Sequence, residues 1–251
     1  MKKNVLFSTL CALLALAVLA LVWIIAYYSF GNEYLLPSLW DTVAAAGKLL
    51  TEAVFWRAFG FTLLRTLIAF LCSFVLGVAL AVLASLHRAV RAFLAPVISV
   101  LRTVPTMAVI LILVLWSNRT VAPALVALLV LLPAVYAAAL AGIDEVRQEY
   151  GDLAKAFKVG KGRRIFKMYL PLAAPSLLGQ SGAILSMGLK ITVSGEVLAQ
   201  TLRSLGYLMQ EAQMYLEMPR LLALPVLCVL LGFLLEGGGL LAQKCIVRWR
   251  E

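Results

Sequence analysis

Long apolar stretches, separated by short charged segments, set the pattern of this chain. A helix needs about 20 mostly apolar residues to cross a bilayer. Six stretches are long enough: 5–28, 58–86, 93–116, 121–141, 170–193 and 221–242. The third is interrupted by Pro96 and Pro105, so it is expected to be kinked or broken. The first follows Met1-Lys2-Lys3 as a secretory signal would, but its apolar run is too long. It also ends in Tyr27-Tyr28-Ser29-Phe30 without a small-x-small cleavage site, and so reads as a retained span. Six spans put both termini on one side. Two connecting segments carry helical patterns of their own. At residues 38–57, Ser38 and Asp41 form a capping box after Pro37, and Leu39, Val43, Ala46, Leu50 and Val54 recur at helical spacing opposite Asp41, Lys48 and Glu52. This predicts a helix lying at the outer membrane interface or packing against the spans.

Composition agrees with this pattern. Apolar residues make up 63% of the chain and charged ones 14%, against about 45–50% and about 25% in soluble domains. Burying that much apolar surface requires lipid as well as protein. Disorder, collagen-like repeats and a disulfide-stapled scaffold are excluded. The formal charge of +10 would suggest nucleic acid in a soluble protein, but here it sorts by side. The segments predicted to be cytoplasmic carry 14 basic residues and the outer ones five. This bias follows the positive-inside rule, places both termini in the cytoplasm and leaves no call for a nucleic-acid partner.

The sequence offers little reactive chemistry. Cys11, Cys72, Cys228 and Cys245 form no CxxC pair, and the single histidine, His87, stands beside Arg88. No cluster has the spacing of a metal site, and no nucleophile and base converge as an intramembrane enzyme would require. The chain also lacks the GxxxxGK[ST] loop that would hold a nucleotide. A self-sufficient secondary transporter or channel would show a paired half-repeat or an acidic proton relay, and neither is evident. Ionisable groups near the apolar runs are few: Arg65, Arg102, Lys190, Glu196 and Glu236. Such groups are costly in lipid and face protein or water. Arg102 and Lys190 therefore either line a path that favours an anion or serve structural ion pairs. Glu196, six residues from Lys190, points to a different helix face. Thr192, Ser194 and Gly195 between them suit a local break in a path-lining segment, and Pro105 suits a moving element. Gly237-Gly238-Gly239 permits close helix packing, within one subunit or between two.

The longest predicted cytoplasmic loop, 143–175, holds half of that side's basic residues. Val146, Tyr150, Leu153, Ala154 and Phe157 mark one apolar face, with Glu145, Gln148, Glu149, Asp152 and Lys155 opposite. Gly160 and Gly162 are expected to end this short helix, and a basic stretch then leads to Leu170-Pro171. Such an element either docks a soluble partner or serves as a charged connector.

The run from Asp152-Leu153-Ala154 through Lys158 and Gly160 to Leu170-Pro171 resembles the EAA loop of binding-protein-dependent ABC importer permeases. Asp152 takes the Glu place, Leu153 and Ala154 the Ala places, Lys158 the Gly place and Met168 the Ile place. Gly160 lies two residues beyond the family's turn and is a candidate to supply it. Further resemblance lies in Thr62 to Leu67, Leu101 to Thr106, Leu115-Trp116, Leu132-Pro133 through Ile143, Gly188-Leu189-Lys190, Gly195 to Leu198, and Val247 to Arg250. The segment around Lys190 and Glu196 is similar to the nitrate/sulfonate/taurine branch.

The resemblance implies an all-α integral membrane protein of the type I ABC importer permease fold, in the inner (cytoplasmic) membrane. It implies one permease domain over residues 1–251, with 1–57 as an N-terminal span plus outer segment and 58–250 as the core region. The loop at 143–171 would form the ATPase-coupling helix, through Tyr150, Gly151, Asp152, Leu153, Ala154, Phe157, Lys158, Gly160, Leu170 and Pro171. The implied path residues are Arg102, Pro105, Lys190, Ser194 and Glu196. The partners would be cytoplasmic ABC ATPase subunits that carry ATP and Mg, an extracytoplasmic solute-binding protein and a second permease copy. This chain itself would bind no cofactor and catalyse nothing. The substrates implied are small anions of the taurine, sulfonate or nitrate type, or else a thiamine-pyrimidine precursor or a riboflavin-like compound.

Overall fold

A computed structural model describes residues 2–33 and 35–246. The predicted ending Val247 to Arg250 lies outside the described residues. Among those described, every regular element is helical: α1 (Lys2–Phe30), α2 (Leu39–Thr51), α3 (Ala53–Leu86), α4 (Arg88–Thr103), α5 (Thr106–Trp116), α6 (Ala122–Ala156), α7 (Lys161–Arg164), α8 (Leu170–Ala199), α9 (Leu205–Met214) and α10 (Met218–Ile246), with a π-helical turn, Ile165–Tyr169, joining α7 to α8. Five helices are long and apolar enough to span a membrane, and α4 with α5 can supply a sixth as a pair bent by 93°. The all-α membrane architecture expected from the apolar runs is the one observed.

The bend has a local cause. Val104 and Pro105 are extended, and Pro105 stands just before α5, where its missing N–H breaks no helical hydrogen bond. Pro96, the other predicted interruption, is accommodated inside α4.

The loop is built differently from the sequence expectation. The segment marked by Val146 to Phe157 does not form a short helix of its own. The fourth span and the loop segment are one helix of 35 residues, α6, because residues 142–156 contain no proline and mostly good helix formers. Nor do Gly160 and Gly162 end it. Lys158 takes the left-handed conformation, with φ 52°. Val159 N–H donates to Ala154 O at 3.2 Å and Lys158 N–H to Lys155 O at 2.9 Å, the paired closure of a Schellman motif. Gly162 lies inside α7. The same closure ends α8, where Gln200 has φ 51° and Thr201 N–H donates to Glu196 O at 3.0 Å.

The chain divides into two compact units. One comprises the described residues up to Trp56 together with Leu208–Leu227. In it the predicted cap is present: Ser38 Oγ accepts from Asp41 N–H at 3.1 Å and donates to the Asp41 carboxylate at 2.5 Å. Of α2, Thr42 and Leu49 are buried, whereas Leu39, Val43 and Leu50 are exposed, as suits a helix that turns apolar side chains to lipid. Trp23 Nε1 donates to Pro37 O at 3.2 Å, and Arg220 pairs with Glu52 at 3.3 Å and Glu217 at 3.4 Å.

The second unit runs Arg57–Tyr207 and resumes at Cys228. Its core is centred on α6 against α8, with Leu131, Val135, Ile143, Ile165, Tyr169 and Ala173 buried. Glycines set the closest approaches. A Cβ on Gly239 would lie 2.5 Å from Gly182 Cα, so the triple-glycine segment of α10 packs on α8 within this chain.

Candidate functional site

Three places in the second unit gather the polar side chains of this apolar molecule. The first is the C-terminal end of α6. Val146, Gly151 and Ala154 are buried on one side, but Leu153 and Phe157 are 53% and 75% exposed. The apolar stripe read as one face therefore splits: its outer two members stand in the open at the helix tip. Asp152 is exposed beside them and holds Lys155 at 2.7 Å. Tyr150 is half-buried, and Gly151 lies against Tyr169, whose Oη would be 3.8 Å from a Cβ. Lys158 and Gly160 form the turn, and the Arg164 Nε–H donates to Val159 O across it. Leu170 and Pro171 open α8, where proline's fixed φ and missing N–H are best tolerated. The ten residues read as a coupling element thus share one end of the helices, although in a turn between long helices.

The second place is a hollow of about 250 Å³ lined by Arg102, Thr106, Val130, Pro133, Ala134 and Met187. Arg102 closes α4 and donates to Pro133 O of α6 at 3.3 Å. Pro105 is exposed at the adjoining bend. On α8, Met187, Lys190 and Ser194 follow one another at helical spacing and are all exposed, and Ser194 Oγ–H donates to Lys190 O at 3.0 Å. Gln180 extends the same face by two turns. No break forms between Lys190 and Glu196, because α8 is continuous to Ala199. The hydroxyl of Ser194 turns back on its own helix, where it is tolerated.

Glu196 belongs to the third place and stands apart from the other predicted path residues. It is completely buried. Its Oε1 accepts from Arg65 at 2.8 Å and its Oε2 from Thr62 Oγ1 at 2.9 Å and Gly206 N–H at 3.4 Å. Thr62 Oγ1 in turn accepts from Leu205 N–H at 3.1 Å. One carboxylate therefore joins α3, α8 and the first turn of α9. Buried charge survives only when paired and hydrogen-bonded, and here every contact is internal. Gly206 is required by the close approach, since a Cβ there would lie 2.5 Å from Val197 N and 2.6 Å from Glu196 Cβ. Sequence reasoning missed this cluster. Its signal was an opposite pair, Arg65 inside one apolar stretch and Glu196 just beyond another.

Comparison with known proteins points in one direction. The family described as "Binding-protein-dependent transport system inner membrane component" matches residues 73–237. A probable ABC transporter permease protein of Haemophilus influenzae is 30% identical over 84% of this chain and 86% of its own length. The taurine transport system permease protein TauC of Escherichia coli is 28% identical over 93% of this chain and 87% of its own. A putative aliphatic sulfonates transport permease protein, SsuC, of Bacillus subtilis is 26% identical over 95% and 87%. Among solved structures, a chain from the inward-facing MetNI methionine ABC transporter superposes with TM-score 0.68 at 16% identity, over 77% of this chain and 96% of that one.

Proposed function

The chain belongs to the family of binding-protein-dependent transport system inner membrane components, as an ABC importer permease of the nitrate/sulfonate/taurine type, and from that premise we propose that it carries a small organic or inorganic anion inward under the drive of a separate ATPase. The observation that carries the reading is the tip of α6. Leu153 and Phe157 are apolar, exposed, and flanked by Asp152, Lys155 and Lys158. So many charges put the tip beyond the hydrocarbon, and apolar side chains exposed there are suited to a groove on a soluble partner. That partner is the ATPase. It supplies ATP and Mg, and the basic end of the chain with both termini faces the cytoplasm.

The exposed face of α8 supports a second copy of the permease. Gln180, Lys190 and Ser194 would be costly against lipid, so they face protein or a water-filled path. Two chains meeting near this face would enclose Lys190 and Arg102 in the path and leave Glu196 as an internal tie. Two cations favour taurine-, sulfonate- or nitrate-like anions over a neutral pyrimidine precursor or a riboflavin-like compound, and the taurine permease among the relatives supports the same choice. A binding protein on the outer side delivers the solute.

The test is Leu153→Asp with Phe157→Asp. The double variant is expected to insert normally yet to lose its ATPase during co-purification. An ATPase that still co-purifies at the wild-type ratio would sink the assignment.

A further inference from the structure

Beside the α6 tip lies a larger hollow, of about 1030 Å³, walled by His87, Arg88, Arg91, Arg147, Lys155 and Arg164. Five cations line it and no carboxylate does. Asp144 holds Arg91 at 2.8 Å and Arg147 at 3.4 Å, and Asp152 holds Lys155 at 2.7 Å. Arg88 and Arg164 have no carboxylate partner among the described residues. Arg147 is fixed against the opposite wall: it donates to Ser85 O at 2.8 Å and lies 6.0 Å from the Tyr169 ring centroid. The hollow is thus a preformed positive site in which two guanidiniums, Arg88 and Arg164, meet no carboxylate, although Arg164 Nε–H is engaged with Val159 O. Arg is well matched to phosphate oxygens.

Its depth narrows the choice of ligand. The chain passes between apolar and charged sequence at three places close to residues that line it: from Leu86 to Arg88, at Ile143 to Asp144, and between Lys167 and Leu170. That transition marks the level of lipid headgroups. From the rim, Phe93, Val97 and Val100 continue along α4 as an exposed apolar stripe at helical spacing. A ligand with a phosphate at one end and hydrocarbon at the other meets both features.

We propose that this hollow binds the phosphate of an anionic glycerophospholipid, with Arg88 and Arg164 as its principal contacts and the α4 stripe as the bed for an acyl chain. Basic hollows between membrane helices are suited to such headgroups. The site shares Gly151 and Lys155 with the α6 tip, but its principal contacts, Arg88 and Arg164, belong neither to the ten coupling residues nor to the solute path.

The test is native mass spectrometry of the full chain in detergent, titrated with phosphatidylglycerol, phosphatidylcholine or inorganic phosphate. Phosphatidylglycerol is expected to bind more tightly than phosphatidylcholine. Arg88→Gln with Arg164→Gln should weaken it by about tenfold or more, whereas Arg57→Gln, on the predicted outer side, should not. Arg88 is exposed, so Arg88→Gln alone serves if the double variant does not fold. Inorganic phosphate that displaces the lipid at millimolar level, and itself depends on Arg88 and Arg164, would make free phosphate the occupant and overturn the lipid assignment. Equal binding of both lipids, or affinity unchanged in the variants, would overturn the site. So would loss of the ATPase from the double variant with lipid affinity intact, since the hollow would then be a protein contact.

Discussion

Replacing Glu196 by alanine should be among the most damaging single changes in this chain. The substitution leaves the Arg65 guanidinium, whose side chain is 12% exposed, without its counter-charge. It also strands the Thr62 hydroxyl and the Gly206 N–H, both of which donate to the carboxylate. Removing one partner of a buried ion pair costs about 3–5 kcal/mol. Glu196→Gln keeps the shape and one acceptor and should cost about 1–3 kcal/mol. Replacing both partners, Arg65→Met with Glu196→Leu, removes the stranded charge and should recover most of the loss, for a coupling of about 2 kcal/mol or more. The assay is equilibrium unfolding in mixed micelles followed by tryptophan fluorescence, run as a double-mutant cycle. Hydrogen exchange gives an independent readout, because the Leu205 and Gly206 amides should lose protection in Glu196→Ala. Additive single and double variants, with Glu196→Ala costing under about 1 kcal/mol, would refute the claim that this pair joins three helices.

Other expectations follow from single geometries. Gly206→Ala forces a Cβ onto the α8 backbone at 2.5 Å and should cost about 1–3 kcal/mol, read in the same unfolding assay. Lys158→Gly relieves the left-handed strain at the α6 C-terminus and should stabilise by about 1 kcal/mol; an unchanged midpoint would mean that the turn carries no strain. Arg102→Gln and Lys190→Gln should lower uptake of an anionic solute by reconstituted transporter while its ATPase remains bound. Uptake equal to wild type in both would remove these cations from the path.

Much of this was legible in the sequence because it is local. The apolar runs marked the spans, Ser38 and Asp41 the start of α2, and Pro105 the bend before α5, since each signal lies within a few residues of its effect. Longer relations were not legible. Thr62 and Arg65 lie more than a hundred residues from Glu196, and no local pattern announces that they meet. The helix Leu205–Met214 escaped notice because only ten residues form it and its first turn is fixed by distant partners. The end of α6 was misplaced for a different reason: glycine is the residue that best tolerates a left-handed turn, but the closing hydrogen bonds fall at Lys158 and Val159. Leu153 and Phe157 share a helical face with Val146 on paper, yet α8 covers only part of that face.

The fusion of the fourth span with the loop helix has a mechanical consequence. With about 1.5 Å per residue, the stretch from Pro133, whose carbonyl holds Arg102, to the tip at Ala156 is a rod roughly 35 Å long. A push on the tip has no intervening joint in which to dissipate. By simple geometry, a sideways displacement of about 5 Å at the tip tilts such a rod by roughly 8°, and that tilt arrives at the carbonyl that steadies Arg102. Under the coupling proposed above, α6 would act as a lever whose stroke ratio is set by where along it the fulcrum lies.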